Sequence, residues 1–162
     1  MAPEPVNVEV LSWRDYEHGE RTFRRKQLAR AAGGEELGAS LYQVPAGKRT
    51  WLRHYHEGNE EALFVLDGDG TLFLGPEETE HALAPGDYVA LPRGEESSHE
   101  VVAGEEGLRY LAFSTMNDPD VTVYPDEDKI GVYAGSAPGA PTDQRAISKY
   151  LDFDAEVPYW DE

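Results

Sequence analysis

Two of the five histidines, His54 and His56, stand two residues apart in the stretch HYHEGNEE, and the carboxylates Glu57, Glu60 and Glu61 follow at once. Residues two apart in a β-strand point to the same face, so the pair can aim two imidazoles at one point. RTWLRHYH reads as that strand, with Trp51, Arg53 and Tyr55 on its other face. Glu57-Gly58-Asn59-Glu60 reads as a hairpin turn, and the next strand starts at Glu61, which shares a face with Leu63 and Val65. That face returns Glu61 to the histidine pair, with Glu60 as its close competitor. Two imidazoles and a carboxylate suit Fe(II), Mn(II), Ni(II), Cu(II) or Zn(II). His99 is a fourth candidate: it follows a Pro-x-Gly turn in GDYVALPRGEESSHEVV, and closure of a barrel can lay its strand beside the first. Four protein ligands leave one or two positions for water or substrate, as a catalytic metal requires.

The elements that must position these side chains are short strands. Between about residues 20 and 125, apolar runs such as RTFRRKQL, LGASLYQV, EALFVLDG, GTLFLG, TEHAL, SHEVVAG and GLRYLAFS alternate with turn-forming Gly, Pro and Asp clusters. Strands of that length at roughly ten-residue spacing predict an all-β sandwich or barrel. The pairs in DGDG read as a hairpin turn. No sustained 3.6-residue apolar period is present, so any helix is short and near an end. After Met116 the chain is rich in Pro, Gly and Asp, yet it keeps Tyr124, Tyr133, Tyr150, Phe153, Tyr159 and Trp160. A disordered acidic tail lacks such aromatics. The expected organisation is therefore N-terminal strands over 1–36, a barrel over 37–115, and an extended C-terminal arm over 116–162, with a flexible joint at 135–142, packing on the barrel or on a second subunit.

Gly47-(x6)-His54-x-His56-(x4)-Glu61-(x6)-Gly68 resembles the first motif of the cupin superfamily, and Gly86-(x5)-Pro92-x-Gly94-(x4)-His99 resembles its second. They occur in the right order about 18 residues apart. The departures are one extra residue before His54, two before His99, and Ala103 where the second motif usually ends in Asn. The resemblance is to single-barrel cupins of unassigned activity. It implies a jelly-roll (double-stranded β-helix) barrel, and it assigns His54, His56, Glu61 and His99 as ligands of one divalent transition metal: Fe, Mn, Ni, Cu or Zn. It also implies a homodimer and a small-molecule ligand. His18 and His81 fall in neither motif and read as ordinary surface or core residues.

Composition narrows the function classes. The chain has no cysteine, which removes disulfides, iron–sulfur clusters and thiol nucleophiles. Thirty-two acidic residues against fourteen basic ones give a formal net charge of −18. Such a charge disfavours nucleic acid and anionic membranes as partners. It reads as an acidic coat of the kind halophile proteins carry, with stability expected to fall as salt is removed. No apolar run is long enough to span a membrane, and MAPEPVNVEV does not read as a signal peptide; the expected location is cytoplasmic. HEGNE lacks the second histidine of a zinc-protease helix, and GSAPG lacks the context of a nucleophile elbow. The chemistry expected is that of an enzyme on a small, oxygen-bearing organic molecule, by dioxygenase-type oxidation or by isomerisation of a sugar or keto acid. A non-enzymatic metal- or ligand-binding barrel is the alternative. Tyr42, Tyr110 and Arg53 are candidate pocket-rim residues, with Arg53 out of phase with the histidines.

Overall fold

In the computed structural model, which describes residues 2–160, strands β1 (Arg14–His18) and β2 (Arg21–Gln27) precede a single helical turn, α1 (Leu28–Ala31). Strands β3 (Leu37–Val44), β4 (Tyr55–His56), β5 (Glu61–Leu74), β6 (Thr79–Leu83), β7 (Tyr88–Leu91) and β8 (His99–Thr115) follow. The chain ends in β9 (Asp120–Tyr124), β10 (Lys129–Ala134) and β11 (Ile147–Asp152). One sheet has the order β1-β2-β3-β8-β5-β6, with β7 also on β5; the other has the order β11-β10-β9-β4. Every pairing between these strands is antiparallel. This is the all-β architecture expected from the strand spacing, in the jelly-roll form that the motif resemblance implies. Among the described residues no helix is long and apolar enough to cross a membrane.

The core lies on the inner face of the larger sheet, where Phe23, Tyr42, Val44, Leu63, Val65, Leu72 and Tyr110 are all buried. Alternation puts Leu63 and Val65 inward along β5, and Glu61 lies on that same side at the strand's start. Fully burying each aliphatic side chain stabilises the fold by about 1.5–3 kcal/mol. A cavity is nonetheless left between the sheets, and Glu61 opens onto it.

Three local expectations are corrected. DGDG is not a hairpin turn but the middle of one fourteen-residue strand, with bulges between Val65 and Asp67 and between Gly68 and Gly70. A type I′ turn needs positive φ at both central residues, and of these four residues only Gly68 has it. The first bulge switches the alternation, so that an even-numbered residue, Leu72, becomes the buried one. SHEVVAG and GLRYLAFS likewise form a single strand, β8, with Glu105 and Glu106 looped outward and the Glu106 N–H bonded to Asp69 Oδ1 at 2.9 Å. RTWLRHYH is laddered only at Tyr55–His56; Arg49 and His54 make isolated bridges. Glu57–Glu60 therefore carries the chain from one sheet to the other, because β4 pairs with β9 and β5 with β7 and β8.

The segment after Met116 supplies β9 and β10, and β9 is the partner of β4. Strand β11 pairs with β10 at the sheet edge and is exposed along its whole length.

Candidate metal centre

His54 and His99 face each other across an antiparallel bridge, exchanging backbone hydrogen bonds of 3.2 Å and 2.9 Å. His56 follows on the same side of the chain, and Glu61 enters from the larger sheet. One carboxylate oxygen, Glu61 Oε2, lies 3.7 Å from His54 Nε2, 3.5 Å from His56 Nε2 and 3.5 Å from His99 Nε2. The donor atoms of His54, Glu61 and His99 all lie within 4.8 Å of one another; His56 is not part of that group and approaches it through Glu61 Oε2 alone. Glu60 is exposed in the crossover just before β5, so Glu61 is the carboxylate that meets the imidazoles. His18 and His81 are exposed, on the edge strands β1 and β6.

The back of each ring fixes its front. His54 Nδ1 is 2.7 Å from the Leu52 carbonyl and His99 Nδ1 is 2.9 Å from the Ser97 carbonyl. A carbonyl only accepts, so Nδ1 carries the proton in both rings and each Nε2 presents a lone pair. His56 Nδ1 lies 2.6 Å from Asp120 Oδ2. Three ring nitrogens and a carboxylate oxygen thus converge with no hydrogen-bond donor of their own between them. Donors each about 2.1 Å from one divalent ion lie about 3–3.5 Å apart, close to the 3.5–3.7 Å at which Glu61 Oε2 stands from the three Nε2 atoms. The residues present fit a first-row transition metal.

Electrostatics agree with the geometry. Burial alone would raise the carboxyl pKa of Glu61, but the three imidazoles around it overcome that and hold it well below the usual carboxylate range. Burial, aided by His54, lowers the His99 imidazole to about 4, so it stays neutral and able to donate its lone pair. His56 moves the other way: burial opposes its charge, yet Glu61 and Asp120 together raise its pKa.

Asp120 is the residue that sequence reading missed. It is 2% exposed at the start of β9, and its second oxygen accepts the Gly58 N–H at 2.8 Å. It therefore orients His56 and pins the sheet-to-sheet crossover at once. Its only sequence signal is an Asp that opens an apolar alternation, DVTVY; the 64-residue separation from His56 gives no register. Carboxylates behind a ligating imidazole typically contribute 10–100-fold to metal affinity. Asp120→Ala is expected to weaken zinc binding by about that factor, as read by competition with a chromophoric chelator.

The cavity in front of the cluster has a volume of about 1200 Å³. Tyr42 and Tyr110, both expected at its rim, form an inner wall instead, with their rings stacked at 5.0 Å. Trp51 Nε1–H donates to Tyr42 Oη at 2.9 Å. Burial keeps both phenols protonated, raising Tyr42 and raising Tyr110 further. Tyr124 borders the cavity beside His54, with ring centres 6.0 Å apart, and burial pushes its phenol up to about 12. Arg53 is absent from this wall, as its phase implied: it is buried elsewhere, bonding Asp126 at 2.9 Å and the Gly75 carbonyl at 2.8 Å.

The cupin domain family model matches residues 40–114. No curated protein matches the sequence. Among solved structures, a protein from Acidithiobacillus ferrooxidans, provisionally described as a sugar phosphate isomerase, superposes with a TM-score of 0.76 at 25% identity, over 96% of this chain and 93% of that one. A sugar phosphate isomerase of the cupin superfamily from Silicibacter pomeroyi gives 0.77 at 21% identity, over 94% of each chain. The polyketide cyclase RemF from Streptomyces resistomycificus gives 0.57 at 23% identity over 69% of this chain and 78% of that one. The last two speak to the fold.

Proposed function

We propose that this chain, with its cupin-type jelly roll, is a metal-dependent isomerase of a small oxygen-bearing molecule, a sugar or keto acid. The observation that carries the reading is the meeting of three imidazole Nε2 atoms around one oxygen of Glu61 at the wall of a cavity. His54, His56, Glu61 and His99 would hold one divalent ion. Such an ion supplies Lewis acidity toward a substrate carbonyl or hydroxyl oxygen. The chain's own part is to present a lone-pair set with the His54 and His99 tautomers already fixed, and to keep the Tyr42 and Tyr110 hydroxyls as protonated donors along the wall. The structural relative from Acidithiobacillus ferrooxidans, similar along nearly the whole chain, favours isomerisation over oxidation.

The exposed apolar residues of the C-terminal edge, Ile147, Tyr150, Leu151 and Phe153, suit the homodimer expected from sequence. The test of function is elemental analysis of protein purified without chelator or nickel resin, followed by an anaerobic assay in deuterated water with a panel of aldoses, ketoses and keto acids. Near-stoichiometric metal with deuterium uptake at a substrate carbon is the expected result. Dioxygen consumption without anaerobic turnover would instead favour oxygenase chemistry, and metal or ligand binding without product would indicate a binding barrel.

A further inference from the structure

The cavity is balanced in formal charge where the chain as a whole is strongly acidic. Five of the chain's fourteen basic residues line it, namely Arg14, Arg25, Arg30, Lys129 and Arg145, against only five of its thirty-two acidic ones. Three of those acids are already engaged. Glu61 faces the imidazoles, Glu100 is held by Arg21 at 2.7 Å and Arg49 at 3.0 Å, and Asp118 accepts the Gly135 N–H at 2.9 Å. The five cations, by contrast, have no carboxylate within ion-pair distance among the described residues. In a chain with a large surplus of acids, a cavity lined this way is built for an anion that comes from elsewhere.

Arg25 is the member placed and prepared to receive it. It shares the inward face of β2 with buried Phe23 and pairs in register with Tyr42, which opposes Tyr110, which opposes Val65. Arg25 thus stands in one row with the tyrosine wall, three strand spacings, or about 14 Å, from the strand that begins with Glu61. Its Nε donates to Ser40 Oγ at 2.9 Å and its guanidinium lies 5.7 Å from the Tyr42 ring centre. The side chain is therefore held, while among the described residues its two terminal nitrogens have no hydrogen-bond partner. The loop above passes close to them without supplying a partner. Gln27 Nε2–H donates to the Gly139 carbonyl at 2.7 Å, and a Cβ at Gly139 would stand 3.3 Å from Arg25 Nη2. A fixed guanidinium fork with free terminal N–H groups matches a carboxylate or phosphate in bidentate fashion.

We propose that Arg25 grips an oxyanion at the end of the substrate remote from the histidine cluster, so that the substrate is a small acid, phosphorylated or carboxylated, and not a neutral sugar. This rests on the reading of the cavity as a substrate site. The test measures inorganic phosphate and, separately, acetate binding to the zinc-loaded full chain by calorimetry, in chloride-balanced buffers of equal ionic strength. Wild type, Arg25→Gln and His56→Ala are compared, with zinc content measured on each. The expected result is binding of at least one of the two anions that falls at least tenfold in Arg25→Gln, whose zinc content is unchanged, and that survives in His56→Ala. Tighter phosphate binding than acetate would assign the phosphorylated class, and the reverse order the carboxylated one. Should Arg25→Gln not fold, Arg25→Lys keeps the charge without the fork and is expected to weaken the same anion several-fold. Affinity unchanged by substitution of Arg25, binding lost only in His56→Ala, or no binding of either anion to wild type would each overturn the proposal. Zinc content reports separately: absence of zinc with an Arg25-dependent anion would remove the metal reading and leave this one standing.

Discussion

Glu61→Gln is expected to purify as a folded protein with little bound metal, and His99→Ala to behave in the same way. The argument is electrostatic first. Glu61 is the one formal negative charge among the four converging groups, and its Oε2 is the atom that all three Nε2 atoms face at 3.5–3.7 Å. The amide has nearly the same shape, so the core around Leu63 and Val65 is not disturbed, but it brings no charge. Four-ligand zinc sites bind with about 10–16 kcal/mol at neutral pH. An even share is about 2.5–4 kcal/mol per ligand, or about two to three decades in affinity. Competitive titration against a chelator of known affinity checks this. A loss below tenfold would mean that Glu61 does not touch the ion.

The same titration has a pH dependence whose sign is fixed by His56. Its Nδ1 already faces Asp120, so the second proton goes on Nε2, the atom that faces Glu61. Proton and metal then compete for one lone pair. Burial opposes that proton, but Glu61 and Asp120 raise the pKa above the ordinary imidazole value. Below that pKa, affinity in wild type falls about tenfold per unit of pH, one proton per metal. His99 joins only near its own value of about 4. In Glu61→Gln one of the two groups that raise His56 is gone, so the onset of proton competition moves to lower pH even though the affinity at the plateau is weaker.

These side chains were legible in the sequence because the spacing of His54 and His56 needs only the two-residue period of an extended chain, and because Glu61 starts a run whose alternation survives to Val65. The pairing of strands was not legible. Whether β4 lies against β5 or against β9 depends on where the crossover Glu57–Glu60 delivers the chain, and that is decided by contacts 58 and 62 residues away: Asn59 accepting the Asn117 N–H at 2.7 Å, and Asp120 accepting the Gly58 N–H. Asp120 and Arg25 stayed hidden for the same reason. Each sits on a strand whose own alternation is readable, but its role is set by the partner strand: His56 beside β9 for one, Tyr42 beside β2 for the other. DGDG failed differently. The local preference for a turn is real, and the paired strand β8 overrides it by supplying ladder partners to β5 on both sides of the bulges.

That override is concentrated at Gly68, where Gly68→Ala is expected to cost the most of any single methyl group. Gly68 has φ of +85° and pairs with Leu108 at the bulge, and a Cβ there would stand 2.1 Å from the Gly107 carbonyl oxygen and 2.9 Å from its carbon. Those are backbone atoms of the neighbouring strand, which cannot swing aside as a side-chain tip would. Gly47, the glycine that opens the first motif, also has positive φ, +71°, but a Cβ there would meet nothing within 4 Å. Gly47→Ala therefore carries only the backbone cost, about 1 kcal/mol, whereas Gly68→Ala adds the separation of β5 from β8 and reaches about 3 kcal/mol or more. At about 2–4 °C per kcal/mol for a chain of this size, that is a fall of roughly 10 °C in Tm, against a few degrees for Gly47→Ala, read by circular dichroism in the same buffer. Equal shifts in the two variants would show that the β5–β8 bulge is not under the constraint its geometry implies. Because β5 carries Glu61 and β8 begins at His99, the same variant should also lose metal before it unfolds: two of the four converging groups sit on the strands that the added methyl pushes apart.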